Sequence, residues 1–504
     1  CGLLFAGIAV AEEASKPPLI INEDNSHFYM FRSADEMTVD GLNAFVDQYA
    51  NTQVTHLFLN ASAMRTSYDS AVWDAIWEVG NQAVPQDNEL AKKWVENSRL
   101  LNERGLDPYA VWIARCREKK ISPWISMRMN DVHDVDNPSN FMHSTFWLNH
   151  PEYRRAPETK GWFYQALNYG LPEVREHNMK LIRELLDRYD MDGLELDWMR
   201  FGYHFKPGEE EQGRAILTQF MRDVRQLTDE ASKQRGHRVQ LSARVPAHPD
   251  AALGLGMDGI TWVQEGLVDL LVPTPFWATS DFDIPMELWR ERIGADAAKK
   301  ALLLPGLEVL VRASPGAAPT LIDLEATRGF AATAWHRGAD GIYLFNFMDP
   351  APTAGGPAAY RELLEKGLAR DYVNGLARRH PVTYRDTVPA GVSADVVLPV
   401  ETIEGGRFRI HTGPLPTQGS VVIIVGLAER DGVRDAEFDV TLNGQSGAAL
   451  PDLADLSPYP GAKRAAQFNA PLPALLEGYN EVFVKQRGEV PGQQIVWAEI
   501  RLVP

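Results

Sequence analysis

An α/β fold, a closed (β/α)8 barrel followed by a C-terminal β-sandwich, is what this sequence predicts, and three observations carry the prediction. Between residues 18 and 370, short runs rich in Val, Ile, Leu and Phe alternate with longer segments of helical spacing. Eight such runs, each separated from the next by room for a helix, close most economically as a barrel. The rival, an open doubly wound sheet, would carry a Gly-rich turn after an early strand, and none is present. From about residue 375 the texture changes to short alternating runs with Gly, Asn, Pro and Asp between them, the pattern of a sandwich. The expected division is a leader remnant and linker over 1–17, the barrel over 18–372 and the sandwich over 373–504.

The barrel strands are read at 18–23, 54–60, 121–129, 193–199, 239–245, 268–273, 301–307 and 341–347. Helices between them carry start and stop signals. Asp107 and Pro108 supply an N-cap and a first-turn proline before AVWIARCREKK, whose basic end suits the helix dipole. Pro172 opens a helix whose Val174, Asn178, Leu181, Leu185 and Tyr189 share one face, and Gly338 ends another. Two connections are long, 61–105 and 131–171. The second (NDVHDVDNPSNFMHSTFWLNH at its start) suits a substrate-lining lid, with a solvated insertion as the plain alternative. The sandwich strands are RFRIHTG, SVVIIVGL, EFDVTLNG, EVFVKQ and IVWAEIRLV. Such a module is expected to bind carbohydrate or simply to pack.

Composition narrows the function. The 504 residues are 45% hydrophobic and 23% charged, an ordinary globular mixture. Fifty basic against 68 acidic side chains give −18, which argues against a general nucleic-acid binder. No apolar run reaches the roughly 18–20 residues that cross a bilayer. Two cysteines, Cys1 and Cys116, exclude a disulfide framework. The opening CGLLFAGIAVA ends in Ala9-Val10-Ala11 and reads as the tail of a secretory signal, so a secreted or periplasmic protein is expected. Anchoring through an acylated Cys1 is the alternative.

The informative stretch runs from Asp192 to Arg200, DGLELDWMR. Side chains alternate along a strand, so Glu195 and Asp197 share the barrel-facing side while Leu194, Leu196 and Trp198 share the other. Asp197 lies nearest the C-terminal mouth, where such barrels do chemistry. A second acid, Glu308 in LLLPGLEVL, ends strand seven. Acetal hydrolysis needs one acid to protonate the leaving oxygen and a second carboxylate to attack or to activate water. Asp197 and Glu308 are therefore the expected working pair, with Glu195 tuning Asp197 from below. A buried ion-pair network is the competing reading, with Arg128, Arg200 and Arg244 as partners. Candidate substrate-binding groups at the strand ends are these three arginines with Asp24, His27, Asn60, Asn130, His133, Trp277 and Asn346, since planar polar groups bond hydroxyls and aromatic faces stack on sugar rings. H-E-x-x-H, P-loop and G-x-S-x-G motifs are absent from the sequence. No metal or cofactor is expected; Asp131 and His133 with Glu23 form the residual metal alternative.

The run HPEYRRAPETKGWFYQALNYGLPEVREHNMKLIRELLDRYDMDGLELDWMRFGY resembles the family 10-like glycosyl-hydrolase proteins, secreted bacterial barrels distinct from the xylanases. The likeness rests on the HPE segment, the N-x-G-x-P-E-V-R turn and D-G-x-x-x-D-x-x-R on strand four, and covers roughly 19–350. It implies a (β/α)8 glycosidase with its strand-four carboxylate at Asp197. Strand four also looks like the D-G-x-D-x-D-x-E of chitinase-type barrels, but Met199 stands where their proton-donating glutamate would be. The expected function is hydrolysis of glycosidic bonds in a polysaccharide or glycan; a non-catalytic glycan-binding barrel is the alternative.

Overall fold

The computed structural model describes residues 16–80, 82–277, 279–348, 355–429, 438–488 and 492–504. Cys1 and the leader-like run to Ala11 lie outside the described residues.

All eight expected barrel strands form. They are β1 (Leu19–Glu23), β2 (His56–Asn60), β3 (Ser122–Arg128), β4 (Gly193–Asp197), β5 (Gln240–Pro246), β6 (Leu270–Thr274), β7 in two pieces (Leu302–Leu303 and Gly306–Glu308) and β8 (Ile342–Phe345). Neighbours pair in parallel in sequence order, and β8 returns to lie beside β1. Strand seven is split because Pro305 has no N–H to offer the ladder. The ring nevertheless closes through it. Leu304 donates its N–H to Leu271 on β6 at 3.0 Å, and Pro305 accepts from Tyr343 on β8 at 3.2 Å.

Two glycines report which way the strands face. A Cβ on Gly193 would stand 2.5 Å from the Trp124 ring, and one on Gly306 would stand 2.4 Å from Thr274 Oγ1. Both positions therefore point into the barrel, and period-two alternation turns Glu195, Asp197 and Glu308 inward as well. An apolar cluster of Ile20, Phe58, Trp124, Leu270, Val272, Leu304, Tyr343 and Phe345 fills the ring. The barrel is thus apolar at its floor and polar at its mouth.

The helices begin and end where the sequence indicates. Asp107 caps Pro108–Glu118 by accepting from the Tyr109 and Ala110 N–H groups. The helix Pro172–Arg188 buries Val174, Asn178, Leu181 and Leu185. Cys116 is buried, and burial pushes its thiol up to about 12, so it is inert. The connection 131–171 is a packed cover, not a solvated insertion. Its Val132, Val135, Trp147 and Ala166 form an apolar cluster with Met64 and Phe201, and Trp162 and Phe276 pack against it. Since Met64, Val132, Phe201 and Phe276 all follow the C-terminal ends of barrel strands, this cluster roofs the mouth.

Beyond the barrel, two antiparallel sheets form. One runs in the order Arg378–Pro381, Gln494–Val503, Ser420–Leu427, Arg464–Ala470, Ala448–Leu450; the other runs Gly406–His411, Tyr479–Gln486, Phe438–Leu442, Gln445–Ser446. All five expected strands are among them. The sequence reading missed Arg464–Ala470 and Arg378–Pro381: RAAQFNA has little β-branched character, and its place between two other strands comes from tertiary pairing. The sheets are tied to the barrel by Arg501, which donates from Nε and Nη2 to both oxygens of Glu325 at 2.7 Å, and by Tyr479, whose hydroxyl donates to Asp283 at 2.6 Å.

Candidate active site

The mouth carries two acids in opposite electrostatic settings. Asp197, at the end of β4, has no exposed surface. Its Oδ2 accepts from Arg244 Nη1 at 2.6 Å and its Oδ1 from the Met199 N–H at 3.0 Å. Arg244 is equally buried and lies 3.8 Å above the Phe345 ring, so Asp197 sits in a buried ion pair over an aromatic floor. Glu308, at the end of β7, is also buried, and both of its oxygens accept from one donor, Asn346 Nδ2, at 2.9 and 3.0 Å. Burial lifts its carboxyl to about 7, more than Asn346 and the charges of Arg200 and Arg244 pull it down. Asn346 reaches it from a backbone with φ +63°, a left-handed conformation that asparagine tolerates better than most residues.

Glu195 sits one layer deeper. Its carboxylate accepts from Tyr343 at 2.7 Å, Ser126 at 2.8 Å, Asn22 at 3.2 Å and Ser242 at 3.4 Å. Burial, and then the neighbouring charge of Asp197, pushes it well above the usual carboxylate range. With every side of the group occupied, it supports the site from below.

The remaining arginines differ in their commitments. Arg128 donates to Asp24 and, at 3.3 Å, to Asp131. Although burial opposes ionisation, Arg128 holds Asp24 down at about 2, and His133 with Arg128 holds Asp131 well below its ordinary value. Arg200 donates from Nη2 to His133 Nε2 at 3.3 Å, and its Nε is buried with no hydrogen-bond partner among the described residues. A guanidinium can only donate, so His133 accepts at Nε2 and gives its Nδ1 proton to Asp131 at 2.8 Å. Burial pulls Arg200 down to about 10, with Arg128 adding to the effect.

Among the predicted site residues, then, Asp197, Glu195, Glu308, Arg128, Arg200, Arg244, Asp24, His133 and Asn346 are linked by contacts or charge at the mouth. The others serve differently. Asn130 donates to the Leu167 and Tyr203 carbonyls and accepts from the Leu167 N–H, stitching the cover to β3. Asn60 Oδ1 accepts from the Ser62 N–H at 3.0 Å. His27 packs 4.6 Å from Phe31, and burial pulls it down to about 4. Trp277, on the turn after β6, is 45% exposed. Glu23 leaves β1 on the opposite side from Asn22 and accepts from Tyr49, so it does not join Asp131 and His133 in a metal set. The sequence reading missed Tyr343, Ser126 and Ser242 as partners of Glu195; only their inward parity on β8, β3 and β5 signals them.

No family model and no curated protein matches this chain. Solved structures similar to this chain include glycosidases and a glucanotransferase. They include alpha-L-fucosidase isoenzyme 2 from Paenibacillus thiaminolyticus (12% identity, TM-score 0.43, covering 72% of this chain and 50% of the other). A GH20 beta-N-acetylhexosaminidase from Streptomyces coelicolor A3(2) has 11% identity and TM-score 0.39, and an alpha-galactosidase from Thermus thermophilus has 17% and 0.36; each covers 71% of this chain and 63% of the other. The chain spans between half and two thirds of the length of these proteins. None of the three is a family 10-like protein.

Proposed function

We infer that this protein is a glycoside hydrolase acting on a polysaccharide or glycan outside the cytoplasm, with Glu308 as the proton donor and Asp197 as the nucleophile or base. One observation carries the reading: two inward carboxyl groups on strands four and seven of a closed ring, one ion-paired and one lifted to about 7 by burial. Opposed settings are what a division into acid and carboxylate requires. The family 10-like likeness of residues 150–203 points the same way. Asn346 and Trp277, more exposed than the acids, offer a sugar a hydrogen-bonding group and a stacking face.

The test is incubation with a panel of polysaccharides, following new reducing ends. Products from one glycan class, lost in both Asp197→Asn and Glu308→Gln, support the reading. Retention of a glycan with no products from any would replace it with a glycan-binding barrel. The anomer first released, read by proton NMR, then tells whether water attacks directly or through a covalent intermediate.

A further inference from the structure

The chain does not stay with the sheets after Arg378–Pro381. It turns back to the barrel mouth. Thr383 Oγ1 accepts from the Phe282 N–H at 3.1 Å, and Asp386 Oδ2 accepts from two successive N–H groups on the turn after β6, Phe276 at 2.8 Å and Trp277 at 3.0 Å. Thr387 lies against the turn after β4, where a Cβ on Gly202 would meet its Cγ2 at 3.1 Å. A side-chain oxygen that takes two adjacent backbone donors fixes the turn that carries them. That turn carries two aromatics with different fates. Phe276 stacks on Trp162 at 5.5 Å and meets Phe201 at 4.8 Å, whereas the Trp277 indole stays exposed on an anchored backbone.

The charge of the same carboxylate reaches Glu308. Around Glu308 stand Asn346, which donates to it, Arg200 and Arg244, which favour its charged form, and Asp386, which opposes it. Around Asp386 stand the Phe276 and Trp277 N–H groups, Thr387 and Arg312, all favouring its charge, while Tyr203 and Tyr384 feel it. Burial lifts Asp386 to about 6, which leaves it ionised above that pH.

We propose that Asp386 is a positioning residue of the barrel-mouth site, supplied by the C-terminal part of the chain: it pins Trp277 as the stacking face for a sugar ring and sets a negative charge beside the proton donor. The proposal rests on the glycosidase reading for its purpose, but its two physical effects are measurable without activity. The first is an infrared titration of the protonated carboxyl band that Glu308→Gln removes. Its midpoint, near pH 7 in the parent, should fall by about 0.5–1.5 pH units in Asp386→Asn. The second is acrylamide quenching of Trp277, isolated by difference against Trp277→Phe. Asp386→Asn, whose amide oxygen still accepts both N–H groups, should leave quenching unchanged, and Asp386→Ala should raise it. If a glycan is cleaved, Asp386→Asn should move the alkaline limb of kcat/KM down by the same amount, and Asp386→Ala should also raise KM about 3–10-fold. An unchanged carboxyl midpoint, or an unchanged Trp277 in the alanine variant, overturns the proposal. A merely structural Asp386 would lower Tm and move neither readout. Both effects present with no glycan cleaved would instead sink the hydrolase reading alone.

Discussion

Two buried charge clusters in this molecule have opposite designs. In the C-terminal sheets, Arg379 donates from Nε and Nη2 to both oxygens of Glu499 at 2.8 and 2.7 Å, Trp497 Nε1 adds a third bond at 2.9 Å, and Asp323 takes the remaining arm of Arg379. Those donors and acceptors are matched, and the guanidinium is held well above its ordinary value. At the barrel mouth the matching is incomplete. Glu308 has a single neutral donor, and Arg128, Arg200 and Arg244 each keep a buried Nε with no partner among the described residues. A complete cluster holds parts of a fold together. An incomplete one keeps protons and charges available, which is what chemistry needs.

Substitutions sharpen that contrast. The largest expected effect is at Glu308. Its carboxyl holds a proton below about pH 7, so Glu308→Gln replaces one neutral group by another of the same shape, and the fold should survive while kcat falls about 10²–10⁴-fold. Circular dichroism with a reducing-end assay checks both halves, and an unaltered rate would remove Glu308 from the mechanism. At the other cluster, Arg379→Met leaves Glu499 buried without its partner. Urea unfolding should show a loss of about 3–5 kcal/mol, with kcat per folded molecule preserved.

The pH dependence separates the two designs further. Glu308 must be protonated to donate, so kcat/KM should decline as pH rises through about 7. Glu23 is one contributor to the pH dependence of stability, because burial lifts it to about 8 although Tyr49 donates to it. Its folded value lies above the ordinary glutamate value of 4.5, so its contribution is full below 4.5 and is lost as pH rises through 8. Unfolding free energy should therefore fall over that interval, by up to about 1.4 kcal/mol per pH unit for this group. Glu23→Gln should make the slope in urea melts at pH 5, 6.5 and 8 shallower by that amount. The smallest change expected is at the rim. Trp277→Ala should raise KM about 3–10-fold and shift stability by no more than about 0.5 kcal/mol, because the indole is exposed.

Residue order alone reaches far into this protein. The eight strand runs, the capped helices and the alternation that turns Glu195 and Asp197 inward are local properties, carried by periodicity and by Asp107, Pro108 and Pro172 acting on their own neighbours. What order could not settle depends on segments distant in the chain. Pro305 divides strand seven, yet the ring closes because β6 and β8 each bond a different part of it. Arg128, Arg200 and Arg244 look alike as letters, and only packing ties the first to Asp24 and Asp131, the second to His133 and the third to Asp197. Asp386 carries no signal in its own neighbourhood. Its role exists only because a segment 109 residues beyond Trp277 folds back to the mouth. Periodicity records which face a side chain takes; burial and charge, which set what that side chain does, are sums over neighbours that the fold assembles.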